Sequence, residues 1–428
     1  MKAAFITLGC KTNSYDTQAM MKILKDTGYT IVNFQDNADV YIINTCAVTN
    51  ISEAKSRQAI HKAVKNNPGA VVIAAGCYSQ LSPEDVINIH GVDAVVGIKD
   101  RHRLADIIQN ARIQKTMVVY PISDEHIFEH LSVDSFDDKT RAFIKIQEGC
   151  DNYCSYCIIP YARGPARSRN TEDIISEVKN VTSSDHKEII LTGIHIASYG
   201  KDLNNISLID LIEKLNDIKS LKRIRLGSLE PKILDEAFLA RLSKLDKVCP
   251  SFHISLQSGC DNTLMRMNRK YKSKEYYDIV CNVRKFFPSC SITTDVIVGF
   301  PAETEEDFIE SYEFCKKVGF MKIHVFPFSL KKGTAAEHIA PKIEKSVIKN
   351  RCVKMLALSA SMQDEFNSLY IGKAFEVLFE QNKDDICEGY TENYIFVKVK
   401  CNEVLTGQIL KVKLLENHTE FMEAEISK

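Results

Sequence analysis

From residue 3 to residue 326 the chain repeats one device, a short apolar run followed by a longer amphipathic stretch. In the first 110 residues the runs are AAFITLG (3–9), DVYIINT (39–45), AVVIAAG (70–76) and DAVVG (93–97), with helical stretches at 14–27 and 52–66 between them. Runs this continuously apolar suit strands buried on both faces, and a helix between successive strands lets them lie parallel. The fold class expected is therefore α/β, opening with an open parallel sheet. From 142 the device returns at greater length, with strands at 142–146, 188–192, 223–227, 252–256, 293–299 and 322–326 and helices at 171–182, 207–217, 233–245, 273–287 and 303–318. Six such units in series fit a parallel partial barrel and equally a second doubly wound sheet. After one helix across 344–368 the alternation stops. AFEVLFE (374–380), NYIFVKV (393–399) and GQILKVKLL (407–415) read as strands of a small all-β barrel.

The expected division is 1–115, a linker at 116–138, 139–362 and 363–428. Residues 121–141 carry Asp124, Glu125, Glu129, Asp134, Asp137 and Asp138 with no helical or strand period, which reads as a solvated linker. With 45% hydrophobic and 26% charged residues the composition is that of a folded chain, and not of a disordered or coiled-coil one. No apolar run approaches the roughly 20 residues that span a bilayer. The first residues lack the pattern of a signal peptide, so a cytoplasmic location is expected.

Cysteine is the informative part of the composition. Fourteen cysteines in a chain from a reducing compartment are not a disulfide framework. In EGCDNYCSYCIIPYARG, Cys150, Cys154 and Cys157 stand just past the first strand of the second section. Three soft thiolates in one loop suit an iron–sulfur cluster whose fourth iron is left open for a substrate. A zinc knuckle would need a fourth Cys or His nearby, and the next histidine, His186, is 29 residues beyond Cys157. Cys10, Cys46 and Cys77 each follow a strand of the first section. Parallel strands end on one edge, so these three converge and can hold a second cluster with its own open iron. The competing reading is three small buried residues. Cys249, Cys260, Cys281, Cys290, Cys315, Cys352, Cys387 and Cys401 have no ligand spacing and read as packing residues.

These motifs resemble those of the radical S-adenosylmethionine (SAM) methylthiotransferases, and the resemblance runs almost end to end. TLGCKTN (7–13) and CSYCIIPYARGPARSR (154–169) look most like the branch acting on N6-threonylcarbamoyladenosine 37 of tRNA, and GYTENYIFVKV (389–399) resembles the TRAM pattern. The isopentenyladenosine branch usually has Gln-Met after the first cysteine, and the ribosomal-protein branch usually places its lysine one position later; Lys11 matches neither. The resemblance implies a partial (β/α)6 barrel in the middle and a TRAM-like barrel at the end. It also implies two [4Fe-4S] clusters with SAM on the open iron of Cys150, Cys154 and Cys157. The family reaction inserts sulfur and a methyl group at C2 of the adenine, one SAM giving the methyl and another the 5′-deoxyadenosyl radical. Its partners would be tRNA and an electron donor such as flavodoxin or ferredoxin, with the enzyme a monomer and no membrane involved.

The remaining SAM contacts are expected at the carboxyl ends of the barrel strands: Gly193, Ser228, Glu230, Gln257, Asp295 and Gly299, with Tyr156 of the cluster loop against the adenine. For tRNA phosphates the candidates are Arg163, Arg167 and Arg169, and the run Arg266, Arg269, Lys270, Lys272 and Lys274. The tail, 363–428, holds seven basic and thirteen acidic residues, a net −6 in a chain of net −1. Only a strip such as Lys398, Lys400, Lys411 and Lys413 would serve RNA there. The other functions considered are methylthiolation of a ribosomal-protein aspartate or of isopentenyladenosine in tRNA, and a non-catalytic iron–sulfur scaffold.

Overall fold

The computed structural model describes residues 1–427 apart from Ser135, Asp137, Asp138, Lys139 and Asn205. In the first section β1 (Lys2–Thr7), β2 (Thr30–Val32), β3 (Val40–Thr45), β4 (Val71–Gly76), β5 (Ala94–Val96) and β6 (Thr116–Val118) make one parallel sheet. Its order is β2-β1-β3-β4-β5-β6. β3 and β4 are buried along their whole length, which is why their sequences are unbroken apolar runs. The edge strands β2 and β6 have three residues each, too few to show a period, and β6 falls inside the stretch expected to be linker. Helices α1 (Lys11–Asp26), α2 (Asn50–Asn66) and α3 (Cys77–Leu81) follow β1, β3 and β4.

The linker expectation needs correcting. Ile122, Leu131, Val133 and Phe136 are buried, and the last three join the core of the central section. Its acids are partly consumed too, since Glu125 pairs with Lys99 and Glu129 with Arg101. Periodicity could not reveal this, because an irregular segment buries single side chains without repeating. Asp137 and Asp138 lie outside the described residues.

The central strands are β7 (Arg141–Glu148), β8 (Arg167–Ser168), β9 (Glu188–Gly193), β10 (Arg223–Leu226), β11 (Ser228–Leu229), β12 (Ser251–Ile254), β13 (Ser291–Val298) and β14 (Lys322–Pro327). They form two sheets, β10-β9-β7-β8 and β11-β12-β13-β14, parallel except for the short β8, which pairs antiparallel to β7. Only Gly227 separates β10 from β11, so the two sheets continue one curved wall. This is the partial barrel, the option that strand spacing alone left open. Ala142, Ile144, Ile146, Ile189, Leu191, Ile224, Phe252, Ile254, Ile292 and Val296 belong to the outer apolar core under the helices. Alternation then turns Arg141, Lys145, Gln147, Glu188, Arg225, His253, Asp295 and His324 to the inside. The barrel has a polar lumen.

The tail closes as β15 (Ala374–Lys383), β16 (Ile386–Thr391), β17 (Phe396–Lys400), β18 (Ile409–Asn417) and β19 (Met422–Ile426), in the order β15-β16-β17-β19-β18. The expected lysine strip is broken. β19 lies between β17 and β18, opposing Glu423 to Lys398 and Glu425 to Lys413, while Glu376 of β15 opposes Lys411.

Candidate active site

The first cysteine trio sits where three neighbouring strands of the first sheet end. Cys10 precedes α1, Cys46 follows β3 directly, and Cys77 opens α3 directly after β4. The approach is close: a Cβ on Gly9 would stand 2.8 Å from the Cys46 sulfur. Cys10 and Cys46 are both electrostatic neighbours of Cys77. Two asparagines fasten the loops. Asn13 donates to the carbonyls of Leu8 (2.7 Å) and Thr45 (3.0 Å), and Asn44 donates to the carbonyl of Asn13 (2.9 Å). Gly76 has φ +97°, and a Cβ there would lie 2.5 Å from Asn44 Oδ1, so glycine is required for the turn into Cys77.

The second trio lies on the loop after β7, and Cys150 and Cys154 are both neighbours of Cys157. Neither trio brings its three sulfurs within 4.8 Å of one another; the groups of ligand atoms that close among the described residues are Cys260/Asp307/Glu310 and Glu416/His418/Glu423. A tetrahedral zinc with bonds of about 2.3 Å would hold its sulfurs about 3.8 Å apart, closer than all three sulfurs of either trio stand. Burial pushes the thiols of Cys77 and Cys150 up to about 11 and that of Cys157 to about 12. A ligating iron must therefore displace their protons.

One guanidinium serves each trio. Arg163 Nε donates to Cys77 Sγ at 3.2 Å, and Arg269 donates to Cys154 Sγ at 3.3 Å. Arg163 carries no accessible surface. It also donates to both oxygens of Glu148 (2.7 and 2.9 Å), to Asn13 Oδ1 and to Asp16 (3.2 Å). Arg167 donates to the carbonyls of Arg163 and Pro165, and Arg169 pairs with Glu177 and donates to Tyr15. All three arginines are buried, so the expectation that they meet phosphates is wrong. Their motif is an internal clamp. Arg269 likewise leaves the surface run, and Arg266 pairs with Asp307 at 2.5 Å. Lys270, Lys272 and Lys274 are exposed.

The cofactor candidates divide. Gln257 and Asp295 line a cavity of about 270 Å³ together with Tyr156, Cys157, Phe326 and, from the first domain, Val48 and Thr49. Val48 follows Cys46 by two residues, so this cavity touches the surroundings of both trios. Glu230 stands 3.6 Å from His195 Nε2 and 3.5 Å from Arg269; burial works to raise its carboxyl, but the hydrogen bond from His195 and the Arg269 guanidinium hold it below the ordinary range. Ser228 shares a 2.8 Å hydrogen bond with Ser255. Gly193 packs on β7, where a Cβ would meet Gln147 O at 2.8 Å. Gly299 leaves the set, because Ile348 fills the space beside it and its N–H donates to Glu303. It is a strand-end turn. Of the cysteines read as packing, Cys281 is exposed and Cys352 and Cys401 are partly so.

His195, Asn13 and Glu148 escaped the sequence reading, and Arg269, expected there to meet phosphate, is instead a donor to a cluster-loop sulfur. Glu148 stands two residues before Cys150, a usable signal; the other two are placed only by folding.

Comparison with known proteins matches a family model to each of the first two sections. The family model described as Uncharacterized protein family UPF0004 matches residues 2–97, and that of the radical SAM superfamily matches 144–315. A threonylcarbamoyladenosine tRNA methylthiotransferase MtaB of Bacillus subtilis is 40% identical over 96% of this chain and 93% of its own. The chain belongs to the radical SAM methylthiotransferase family. A second MtaB, of Aquifex aeolicus, is 39% identical over 93% of this chain and 96% of its own. A tRNA-2-methylthio-N(6)-dimethylallyladenosine synthase of Clostridium botulinum is 32% identical over 96% and 93%. The radical SAM methyltransferase TsrM of Kitasatospora setae shares the fold, with a TM-score of 0.57 and 14% identity over 78% of this chain and 76% of that one. A radical SAM methylthiotransferase works with SAM and [4Fe-4S] clusters, and two separate cysteine trios, each with a guanidinium on one sulfur, fit that requirement.

Proposed function

We propose that the protein inserts sulfur and a methyl group at C2 of N6-threonylcarbamoyladenosine 37 in tRNA, in the cytoplasm. Cys10, Cys46 and Cys77 hold one [4Fe-4S] cluster and Cys150, Cys154 and Cys157 the other. The observation that carries the reading is the cavity that borders Cys157 of one trio and the loop after Cys46 of the other, lined by Val48 and Thr49 on one side and Tyr156 and Cys157 on the other. The choice of base is supported by 40% identity to relatives named for threonylcarbamoyladenosine, against 32% to those named for dimethylallyladenosine. No helix among the described residues is long and apolar enough to cross a membrane.

When bound, SAM supplies the methyl group and the one-electron chemistry that opens the C2–H bond. The chain's own groups orient it. Gln257 and Asp295 present polar atoms into the cavity, Glu230 holds Arg269, the donor to Cys154, and the exposed Ser228, bonded to Ser255, is placed for a hydroxyl. Tyr156 offers an aromatic face beside Cys157. The Arg163 and Arg269 guanidiniums place positive charge and N–H donors on one ligand sulfur of each trio, which favours the reduced cluster. Lys270 and Lys272 are the exposed cations beside this region for RNA phosphates. Electrons come from a flavodoxin or ferredoxin, and the enzyme acts as a monomer.

The test is the nucleoside content of tRNA from a strain lacking the gene. Loss of 2-methylthio-N6-threonylcarbamoyladenosine, with accumulation of the unthiolated nucleoside, is expected. An unchanged level overturns the reading.

A further inference from the structure

The cavity that borders Cys157 and the loop after Cys46 carries exposed apolar side chains on its open side. On β14, Ile323 lies in the outer core and Val325 packs against it, so alternation turns His324 and Phe326 inward. Strand register sets His324 beside Asp295 of β13 and Phe326 beside Ile297. Asp295, Ile297 and Phe326 all line the cavity. Two residues further along, Phe328 packs edge-on against the buried Phe300, with ring centres 5.3 Å apart. Phe326 has no such partner among the described residues and is 47% exposed.

The first domain adds to this apolar rim. Val48, which also lines the cavity, is 45% exposed, and Ile51 and Leu330 are exposed close by. The two domains are tied together there. The Asn50 backbone N–H donates to Ser329 Oγ and its side-chain amide to the Leu330 carbonyl, both at 3.2 Å, and Lys331 pairs with Glu53. Four apolar side chains from two domains thus meet solvent around one hollow, and a patch of that kind marks a ligand groove. Gln257 lines the same cavity in the left-handed conformation, with φ +70°, and its side-chain amide has no hydrogen-bond partner among the described residues. A strained polar residue and an unpacked aromatic face in one cavity suit a flat ring with hydrogen-bonding edges.

We infer that Phe326 is the platform on which the target adenine of the tRNA stacks once it has left its neighbours in the RNA. The inference rests on the function proposed above and adds the residue that holds the base. A base that presents C2 gives up stacking within its loop, and an aromatic side chain replaces that contact whatever substituent N6 carries. The cavity then has one aromatic face for each adenine. Tyr156, next to Cys157 on the cluster loop, serves SAM, and Phe326, exposed like Val48, serves the substrate. Val48 stands two residues after Cys46, so a ring lying on Phe326 is kept near the Cys46 loop.

The test pairs enzyme and substrate changes. Anaerobically reconstituted wild-type protein, Phe326→Ala, Phe326→Leu and Phe326→Tyr are given tRNA with N6-threonylcarbamoyladenosine 37 and the same tRNA with that base removed. Equilibrium binding is measured for both, with iron content and SAM binding as the checks on folding; Phe326 is half exposed, so its truncation disturbs little of the core. Wild type should bind the intact tRNA about 5- to 150-fold more tightly than the abasic one, the range of one base stacked on an aromatic ring. Phe326→Ala and Phe326→Leu should bind both alike, and Phe326→Tyr should keep the difference. Methylthiolation by Phe326→Ala should fall by a similar factor, while its release of 5′-deoxyadenosine without tRNA stays at the wild-type rate. A binding difference undiminished in Phe326→Ala and Phe326→Leu, or absent in wild type, overturns the stacking role while leaving the proposed function standing. A 5′-deoxyadenosine rate that falls with the product also overturns it and assigns Phe326 to SAM. Wild-type protein that prefers the intact tRNA yet methylthiolates none of it overturns the function alone.

Discussion

Arg163 lies between a candidate cluster ligand and two carboxylates, with its side chain wholly enclosed. Removing one member of such a network leaves the others charged and unpaired, a cost of about 3–5 kcal/mol. Arg163→Met should lower stability by that order in urea unfolding, and should lower the midpoint potential of the Cys10/Cys46/Cys77 cluster by redox titration. The same network sets an acid limit. Burial opposes ionisation of Asp16 and Glu148, but the surrounding cations Arg101, Lys145 and Arg163 win and hold both carboxyls below their ordinary values of 3.8 and 4.5. A depressed carboxyl contributes stability that is complete above its unfolded value and is lost as pH falls through its folded one. Unfolding free energy should therefore drop below about pH 4.5, and Glu148→Gln should flatten that drop. For the ligands themselves, Cys46→Ala and Cys157→Ala should each remove about half of roughly eight irons per chain, counted on anaerobically reconstituted protein.

At the scale of elements, strand ends make the site. β1, β3 and β4 deliver three cysteines to one edge because they are parallel neighbours in the sheet, and the turn into the third needs Gly76. Gly76→Ala would force a methyl against Asn44 and the Thr45 carbonyl, in a backbone region costing about 1–3 kcal/mol for a side chain. The expected result is iron lost from the first trio alone, with the spectroscopic signature of SAM bound at the second cluster retained. The barrel elements follow the other consequence of alternation. Their outer residues give the sequence its apolar strand runs, while every second residue enters a lumen whose polarity, read along the chain, looks only like interruption.

At the scale of the molecule, each outer section is bolted to the barrel. Tyr15 and Ala19 of α1 share the barrel's own apolar core, and Tyr15 donates to the Leu131 carbonyl at 2.7 Å. From the other side Tyr394 stacks on Tyr390, lies 4.6 Å from the Arg225 guanidinium, and accepts a hydrogen bond from Arg141 at 3.1 Å. Arg223 and Arg225 add bonds to carbonyls of Glu376, Thr391 and Glu392. Tyr394→Ala should cost about 1–3 kcal/mol through lost aromatic and cation–π contact. Limited proteolysis should then release the terminal barrel faster than from wild type. An undiminished resistance would show that the backbone bonds suffice without the ring.

The order of elements, the three-part architecture and the two cysteine trios were legible along the chain, because periodicity and spacing are local properties of sequence. Three-residue edge strands and an irregular but buried linker were not, since neither repeats. Arg163, Arg167 and Arg169 show the deeper limit. A run of arginines looks the same whether it faces phosphate or is folded inward onto Glu148, Asp16 and Glu177. Charge is written in the sequence, but its partner stands 8 residues away in one case, as Glu177 does for Arg169, and 147 away in another, as Asp16 does for Arg163, and only the packing of one element on another decides which charges are spent inside the protein.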